Sequence, residues 1–409
     1  MRTGEMTTNG TTRESPWRAL LLLGLCLLLG LSSAGLLAGP REQARRIHDR
    51  ITGVPPGNGQ LDALEALVDP SRPGTALDAA HEAMRHPAFY NVTLKNFATP
   101  WTNEAQSVFA PLNDYTATVI GMVRDDVPFN TLLSADLLYV GDPALGLPAY
   151  SPGDNAHYQA LEDGNIDLKE NLVAVSQSSV TGLPAEAVAG VMTSRAAAAA
   201  FLRDGTNRAM LRFTLVNHLC NDLEQLKDNT RPPDRVRQDV SRSPGGDSRI
   251  FINACLACHA GMDPLVQAFA YHDFEGGRLT YNAPGMIDPA TGSRVKAKYH
   301  INADNFRPGF VTPDDRWDNY WRKGVNRRLG WDESLPGGGW GARSLGVELG
   351  NSRAFATCQA RKVFRAVCLR PADGERDRQQ IDAMTTSFIA GGYRLKSLFA
   401  EAAVYCMGE

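Results

Sequence analysis

The chain has 409 residues, of which 43% are hydrophobic and 21% are charged, and this composition excludes extensive disorder and favours a globular protein of about two or three domains. The formal net charge of −3, without any basic tract, argues against nucleic acid as a partner.

The N-terminal segment has the pattern of an export signal. Residues 19–38 carry no charge and are rich in leucine, Arg13 and Arg18 precede them, and Ser32 to Ala34 supply small residues suited to cleavage. About 20 apolar residues can also span a bilayer, so an uncleaved anchor is the alternative. The strongly apolar part is shorter than the uncharged part, which favours cleavage. We expect residues 1–38 to be a signal peptide or N-terminal membrane anchor, and the rest of the chain to be periplasmic or otherwise extracytoplasmic.

Residues 39–153 predict an N-terminal helical domain. Apolar residues recur at helical spacing over 41–53 and again from Tyr115 to Arg124. After a short polar break the pattern resumes and predicts a further helix from Phe129 to Tyr139. A connection rich in proline and glycine, from Gly141 to Gly153, closes this domain.

The second predicted domain, residues 154–311, begins with a polar stretch in which Leu172 to Val175 form a candidate short strand. A strongly amphipathic helix is predicted from Asn207 to Leu223. The following segment, Lys227 to Asp247, is rich in proline, arginine and glycine and is unusually long for a loop. It predicts a functional or mobile loop, with a solvated linker as the alternative.

A C-x-x-C-H motif stands in this domain, at Cys255, Cys258 and His259. This is the attachment sequence of a c-type haem. Two thiols three positions apart can each form a thioether with one porphyrin vinyl group, and the adjacent imidazole can ligate the iron. The alternatives are a redox-active dithiol and a zinc site, for which no second pair of ligands at short spacing exists. The motif occurs once and predicts one covalently bound haem c.

The ligand on the other face of the iron is left open by the sequence. His300 and Met286 are the distal candidates, because both are far enough along the chain to reach across the porphyrin, while His218 and His272 are weaker options. A site without a distal protein ligand is a further alternative, and it would permit peroxide or oxygen chemistry. On the proximal side, His259 is expected to donate its second ring proton to a backbone carbonyl.

The local structure around the motif is predicted from turn and helix signals. A helix is expected from Phe251 to His259, a turn over Gly261 to Pro264, and a second helix from Leu265 to Tyr271. Residues 278–311 have no clear period and predict irregular structure with short strands.

Residues 312–409 predict a C-terminal helical domain. Thr312, followed by a proline and two aspartates, has the pattern of a helix start, and the expected helix carries Trp317 and Trp321. These tryptophans are expected in ordinary core, or alternatively against the porphyrin. A flexible loop over Gly337 to Gly339 precedes three closing helices with regular apolar faces.

Four cysteines remain once Cys26 in the apolar run and the motif pair are set aside: Cys220, Cys358, Cys368 and Cys406. An even number in an oxidising compartment predicts two disulfides. Cys358 and Cys368 are expected on one helix, about 15 Å apart, whereas a disulfide needs Cα atoms within about 7 Å. Cys220 should therefore bond one of these two and Cys406 the other. The alternative is four buried free thiols.

The motif continues into a longer pattern, and other segments add to it. The module reads C-x-x-C-H-x-x-x-D-P-L-x-x-A here, and patterned segments lie at 126–140, 190–220 and 388–399. In these features the chain resembles a group of exported bacterial haem proteins common in planctomycetes and some proteobacteria. It departs from that group at Val266 and Ala270, where a glycine and a glutamate are expected. The resemblance implies an exported, haem-binding protein with electron transfer presumed, and the matched module positions are Cys255, Cys258, His259, Asp263, Pro264, Leu265, Ala268, Asp273 and Gly276.

Together these features predict a mainly α protein with a cytochrome c-like haem module embedded between helical segments. The expected function is single-electron transfer with a partner protein that the sequence does not identify. The alternatives are a haem enzyme of peroxidase or oxygenase type with an open distal site, and a haem-stabilised structural subunit of a membrane-associated complex. No catalytic residue is assigned.

Overall fold

The structure is a computed structural model, and it describes residues 38–408. The predicted signal or anchor segment and Cys26 lie outside these residues. Within residues 38–408, no helix combines the length and the apolar character that crossing a membrane requires.

Helices dominate the described residues, so the mainly α class is confirmed. The predicted amphipathic helix from Asn207 ends early: its α-helical part gives way to a π-helical turn at Leu215–Leu219, and Cys220 then adopts a left-handed conformation with φ of 54°. The α-helices are α1 (Pro40–Thr52), α2 (Asn58–Val68), α3 (Ala76–Ala83), α4 (Lys95–Ala98), α5 (Asp114–Arg124), α6 (Ala156–Asp163), α7 (Leu168–Asn171), α8 (Gln177–Thr181), α9 (Arg195–Phe201), α10 (Arg208–Thr214), α11 (Ser248–Ile250), α12 (Leu256–Val266), α13 (Gly341–Gly350), α14 (Arg353–Cys368), α15 (Gly374–Ala390) and α16 (Leu395–Cys406).

The strands of the described residues form three separate antiparallel pairs. The strand predicted at Leu172 to Val175 is confirmed as β2, and it pairs with a strand that the sequence did not predict. In the second pair, Gly276 and Gly277 make the hairpin turn, which fits the short strands expected in this region. The strands are β1 (Leu138–Gly141), β2 (Leu172–Val175), β3 (His272–Glu275), β4 (Arg278–Tyr281), β5 (Arg316–Asp318) and β6 (Gly338–Trp340).

The helix predicted from Phe129 to Tyr139 is wrong. The segment forms one 3₁₀ turn, Phe129–Thr131, and then β1. All four residues of β1 are buried, so its apolar run has no polar face to reveal a period of two. A short, fully buried strand of this kind cannot be told from a helix by its pattern alone.

The helix predicted to start at Thr312 is also wrong. The Asp314 carboxylate accepts a 2.9 Å hydrogen bond from the backbone N–H of Arg316, which closes a local turn, and the chain continues as β5. Aspartate stabilises such turns as readily as it caps helices. The partner of β5 is β6, so the predicted flexible loop at Gly337 to Gly339 is largely a strand, and Trp317 pairs with Gly339.

The turn predicted over Gly261 to Pro264 is replaced by continuous helix. α12 runs through Pro264 to Val266, and a 3₁₀ turn, Gln267–Phe269, follows it where a second helix was expected. Every residue of α12 from Ala260 onward is buried. We attribute the survival of the helix to this burial, which outweighs the single backbone hydrogen bond that a proline removes.

The main hydrophobic core joins the two ends of the described chain. α16 packs against α1 and α3, and the Phe399 ring lies 5.1 Å from the Phe89 ring and 5.5 Å from the Phe97 ring, centroid to centroid. The core also takes in residues from the middle of the chain. The division at residues 153 and 311 stays a prediction.

The two predicted disulfides are present. α14 carries both Cys358 and Cys368, and they are not joined to each other. Cys220 bonds Cys358 and Cys368 bonds Cys406, with Cα–Cα distances of 5.2 and 5.5 Å. The structure thus selects one of the two pairings that the sequence left open.

Candidate haem-attachment site

The C-x-x-C-H motif lies where a π-helical turn, Phe251–Cys255, passes into α12. The predicted helix over this stretch is confirmed, and it starts from α11, where the Asp247 side chain caps the N-terminus by accepting from Arg249 N–H at 2.9 Å. Because residues three apart share one helix face, Cys255 and Cys258 point to the same side. Both thiols are free and only partly buried. Every other cysteine within residues 38–408 is in a disulfide.

The two thiols have different surroundings. Cys255 packs against a small apolar cluster formed by Val236, Val240 and Phe251. The Cys258 sulfur lies 3.7 Å from the carbonyl oxygen of Leu223. Burial raises the pKa of the Cys258 thiol, with only partial relief from a nearby lysine. A redox-active dithiol requires a lowered thiol pKa, so this environment gives the dithiol alternative no support.

Part of the loop from Lys227 to Asp247 is buried and hydrogen-bonded to the rest of the protein. Val236, Arg237 and Val240 are buried, and the Arg237 side chain is only 1% exposed. Two backbone hydrogen bonds join this stretch to Phe310. The Gln238 N–H donates to the Phe310 carbonyl at 3.2 Å, and the Phe310 N–H donates to the Val236 carbonyl at 3.1 Å. The solvated-linker alternative is therefore wrong for this part of the loop.

The proximal histidine is held by a carboxylate. Nδ1 of His259 lies 3.2 Å from both carboxylate oxygens of Asp263, one helical turn later, and the Asp263 side chain is fully buried. The expected backbone-carbonyl acceptor is thus wrong, because the residue at i+4 on the same face offers a charged acceptor instead. The His259 side chain is 20% exposed, and its Nε2 has no hydrogen-bond partner within residues 38–408.

An arginine neutralises the buried carboxylate. Arg208 donates from Nε and Nη2 to Asp263 at 2.8 and 3.0 Å, and its other edge pairs with Asp239. The backbone N–H of Arg237 donates to the same Asp263 carboxylate at 3.3 Å. Burial by itself raises the pKa of Asp263, but Arg208, the hydrogen bond from His259, and Arg237 together hold it well below its usual range. The carboxylate therefore stays ionised beside the imidazole.

Arg208 and Asp239 are the residues of this site that the sequence analysis missed. The His259–Asp263 contact follows from an i, i+4 spacing on one helix, but the turn predicted over Gly261 to Pro264 concealed it. Arg208 starts α10 and Asp239 lies in the long loop, 55 and 24 residues before Asp263. No local pattern connects them to the motif.

The distal candidates are not brought into contact with His259. Met286 is 52% exposed, and its sulfur accepts a hydrogen bond from Ala283 N–H within its own turn. His300 is partly buried, and its buried Nε2 has no hydrogen-bond partner within the described chain. His300 is the last residue of a 3₁₀ turn, Ala297–His300. In the same turn, the Tyr299 hydroxyl donates to the Val266 carbonyl at the end of α12, at 2.9 Å. The distal ligand stays a prediction.

The two weaker histidine options have core roles. Nε2 of His218 lies 2.5 Å from the Tyr115 hydroxyl, and burial lowers the pKa of His218 well below its ordinary value. Nε2 of His272 lies 2.8 Å from the Ala187 carbonyl. Both rings are fully buried among neighbours other than the motif.

Trp317 and Trp321 are core residues, and Trp321 contacts α12. Trp317 donates from Nε1 to the Ser344 hydroxyl at 2.8 Å. Trp321 is fully buried against Gly261, two residues after His259, so closely that a Cβ on Gly261 would lie 2.0 Å from the indole nitrogen. Trp321 therefore packs directly against α12 immediately after the motif.

The donor set fits a covalently attached haem better than a bare metal ion. Two unpaired thiols on one helix face and an imidazole whose Nε2 is uncommitted are the groups that such a haem requires. Within residues 38–408, no group of three or more side chains of the metal-ligating types comes together. The zinc alternative thus finds no further ligands there.

Comparison with known proteins gives no match, whether with protein-family models, curated proteins or solved structures.

Proposed function

We propose that this chain is an exported monohaem c-type cytochrome that passes single electrons to and from a partner protein. One observation carries the proposal. Cys255 and Cys258 are unpaired on one helix face, next to a histidine held by a buried carboxylate, while every other cysteine of the described chain is in a disulfide. The resemblance to exported bacterial haem proteins supports the same conclusion.

Attachment needs only the groups that the motif supplies. Each thiol adds across one vinyl group, its sulfur bonding to one vinyl carbon and its hydrogen going to the other. No atom leaves and no oxidant is needed, provided that both thiols are reduced. The bound haem would supply reversible one-electron chemistry at its iron.

The protein residues around the motif hold the imidazole in position. With Nδ1 of His259 donating to Asp263, the lone pair of Nε2 is directed away from the carboxylate and is available to the iron. Arg208 fixes Asp263 through two parallel hydrogen bonds, so the carboxylate cannot swing away. Trp321 supports the same helix turn.

The test is production of the full chain in a host that matures c-type haem. The purified protein should gain the mass of one haem, and the haem should resist acid–acetone extraction. A Cys255→Ser/Cys258→Ser variant should lack the added mass, while a matched Cys368→Ser/Cys406→Ser variant, which breaks only a disulfide, should retain it. Wild-type protein without added mass from such a host would refute the proposal.

A second candidate is a haem enzyme with an open distal site. The observation in its favour is that one of the two distal candidates, Met286, is 52% exposed and has its sulfur engaged in its own turn. Cyanide and peroxide should then change the absorption spectrum of the ferric protein. A six-coordinate low-spin spectrum that neither reagent alters would exclude this candidate and leave electron transfer.

A further inference from the structure

A short turn beside the candidate haem site carries an exposed basic patch. Residues 323–328, which we call the basic turn, are mostly a 3₁₀ helix. Lys323, Arg327 and Arg328 are exposed, and none of their side chains forms an ion pair within residues 38–408. Between them in sequence, Val325 is 58% exposed. The turn therefore combines three unpaired positive charges with an apolar side chain at its middle.

The basic turn packs on the segment of chain that borders the motif. Asn326 donates from Nδ2 to the Leu226 carbonyl at 2.7 Å. Two residues later, the Asp228 N–H donates to the carbonyl of Ala257, which lies between the two motif cysteines, at 3.0 Å. In the same segment, the Leu223 carbonyl oxygen lies 3.7 Å from the second motif sulfur. A single stretch of chain thus contacts both the motif and the basic turn.

Neighbouring charges cancel, so the patch stays positive. Every charged residue of segment 222–231 has a partner of opposite sign, in the pairs Arg212–Asp222, Lys227–Glu224 and Arg231–Asp228. The basic turn adds three cations and no acid to this surface, whereas the whole chain has a net charge of −3. Cations without a carboxylate partner also occur elsewhere, but Arg50 and Arg343 are partly buried and donate to backbone carbonyls. In the basic turn, three such cations lie together at the surface, near the motif.

A positive surface around an apolar residue suits an acidic protein. Patches of opposite charge steer two proteins together and fix their orientation, and small contact areas suffice for weak, short-lived electron-transfer complexes. Segments that bind anionic lipid carry about four to eight cations, which is more than this turn has. The net charge of the chain disfavours nucleic acid. The chemistry of the basic turn therefore favours a protein with clustered carboxylates.

We propose that the basic turn is the docking site of an acidic redox partner protein. Val325 contacts the partner at the centre of the interface, and the cations at Lys323, Arg327 and Arg328 face its carboxylates. This inference rests on the proposed function, because a partner seated on the basic turn lies close to the haem that Cys258 would hold. One electron then passes between the haem and the partner, a single-electron carrier, and no atom is transferred.

The test uses the full chain with its haem, in the ferrous state, and two oxidants. One is cupric plastocyanin, an acidic single-electron carrier, and the other is tris(phenanthroline)cobalt(III), a small cation. In stopped-flow mixing at low salt, Lys323→Glu/Arg327→Glu should slow oxidation by plastocyanin at least about tenfold, the low end of the range for electrostatic steering. High salt should reduce this difference, since it screens exposed charges. The cobalt complex should react no more slowly with the variant than with the wild type.

Arg45→Glu/Arg278→Glu is the matched control. It makes the same change in net charge at two exposed cations, on α1 and β4, that also form no ion pair within the described chain. Because charges more than about 10 Å away are largely screened, it should slow the plastocyanin reaction less than about twofold. Arg328 is left in place because it donates to the Gln225 carbonyl. Unchanged helical circular dichroism checks that both variants fold.

An equal loss of rate in the two double variants would assign the effect to net charge and overturn the proposal. No loss in Lys323→Glu/Arg327→Glu, or no reaction with plastocyanin, would overturn it too. Binding to phosphatidylglycerol vesicles that this variant loses, with an unchanged plastocyanin rate, would point to a membrane surface instead. All these outcomes concern a protein whose mass shows bound haem. A chain without haem would refute the proposed function itself.

Discussion

Asp263 combines complete burial with a full negative charge next to the candidate iron ligand. Burying an unpaired carboxylate is expensive, and removing one member of a buried ion pair typically costs about 3–5 kcal/mol. Here the negative charge of Asp263 is stabilised by hydrogen bonds from Arg208, the Arg237 N–H and the His259 ring. A hydrogen bond from Nδ1 to an anion makes the imidazole a more basic ligand than a hydrogen bond to a carbonyl does. More basic ligation favours the ferric state.

If the chain carries haem as proposed, Asp263→Asn should raise its reduction potential. The amide oxygen can still accept from Nδ1, but it carries no charge, so the ferric state loses stabilisation. We expect the ferric-to-ferrous ratio at a fixed potential to fall about tenfold, which corresponds to 59 mV for a one-electron couple. A spectroelectrochemical titration measures this.

Asp247→Asn is the control for charge alone. It removes one negative charge at the N-terminus of α11, where Asp247 pairs with the exposed Arg249 and does not touch His259. Its potential should stay close to that of the wild type. An equal shift in both variants, or none in Asp263→Asn, would count against a ligand-tuning role.

Some residues of this site could be predicted from the sequence, and others could not. The motif itself gives Cys255, Cys258 and His259, because its spacing is set by the chemistry of attachment. The carboxylate partner of His259 stands four residues later on the same helix, but a turn was predicted there, so a backbone carbonyl was expected instead. Arg208 and Asp239 could not be predicted, since long-range folding alone brings them to Asp263.

Among the elements, α12 depends on close contact with a single side chain. Gly261 allows the helix backbone to approach Trp321, and the proline in the same helix is tolerated because its surroundings are buried. The glycine thus lets the indole pack directly on the helix backbone two residues after His259. A Cβ at this position would force Trp321 or the helix to move.

Gly261→Ala should destabilise the protein by about 1–3 kcal/mol, the usual cost of overpacking a core. Gly59→Ala is the control, since Gly59 lies in α2 with no atom within 4 Å of an added Cβ. It should be neutral or stabilising by up to about 1 kcal/mol. Denaturant unfolding of both variants measures the difference. Equal stabilities would show that Trp321 yields without cost.

Prediction of the elements succeeded where a period of 3.6 extended over several turns. α1 and the three closing helices have an exposed polar face that reveals their period. α5 is buried on all sides, and its helix was recognised from the spacing of its apolar residues alone. It failed for β1, which is buried on both faces, and at Thr312, where a cap-like sequence closes a turn and leads into a strand. Such short elements depend on their partners more than on their own sequence.

Over the whole molecule, the N-terminal and C-terminal helices stabilise each other. Phe399 on α16 is fully buried between Phe89 and Phe97, which lie about 300 residues earlier in sequence. Residues far apart in the chain therefore complete one core. Damage at this contact should be felt by the described protein as a whole and not by α16 alone.

Phe399→Ala should lower the free energy of unfolding by about 3–5 kcal/mol. Phe109→Ala, at a side chain that is 93% exposed, should change it by less than about 0.5 kcal/mol. The fluorescence of the tryptophans and the helical circular dichroism should shift together in Phe399→Ala. A loss of α16 helicity without any change in the fluorescence transition would show that the C-terminal helix is independent of the rest.

If the chain is exported as proposed, the Cys220–Cys358 bond makes the order in which the cysteines reach the oxidising compartment important. In a chain translocated N-terminus first, Cys220 enters the oxidising compartment ahead of its partner, which follows 138 residues behind. The motif thiols arrive in between, and closing their shorter loop costs less entropy. An early oxidant would then trap Cys220 with Cys255 or Cys258. We expect haem ligation to compete in time with thiol oxidation, so that excess oxidant during secretion yields a colourless, mispaired protein.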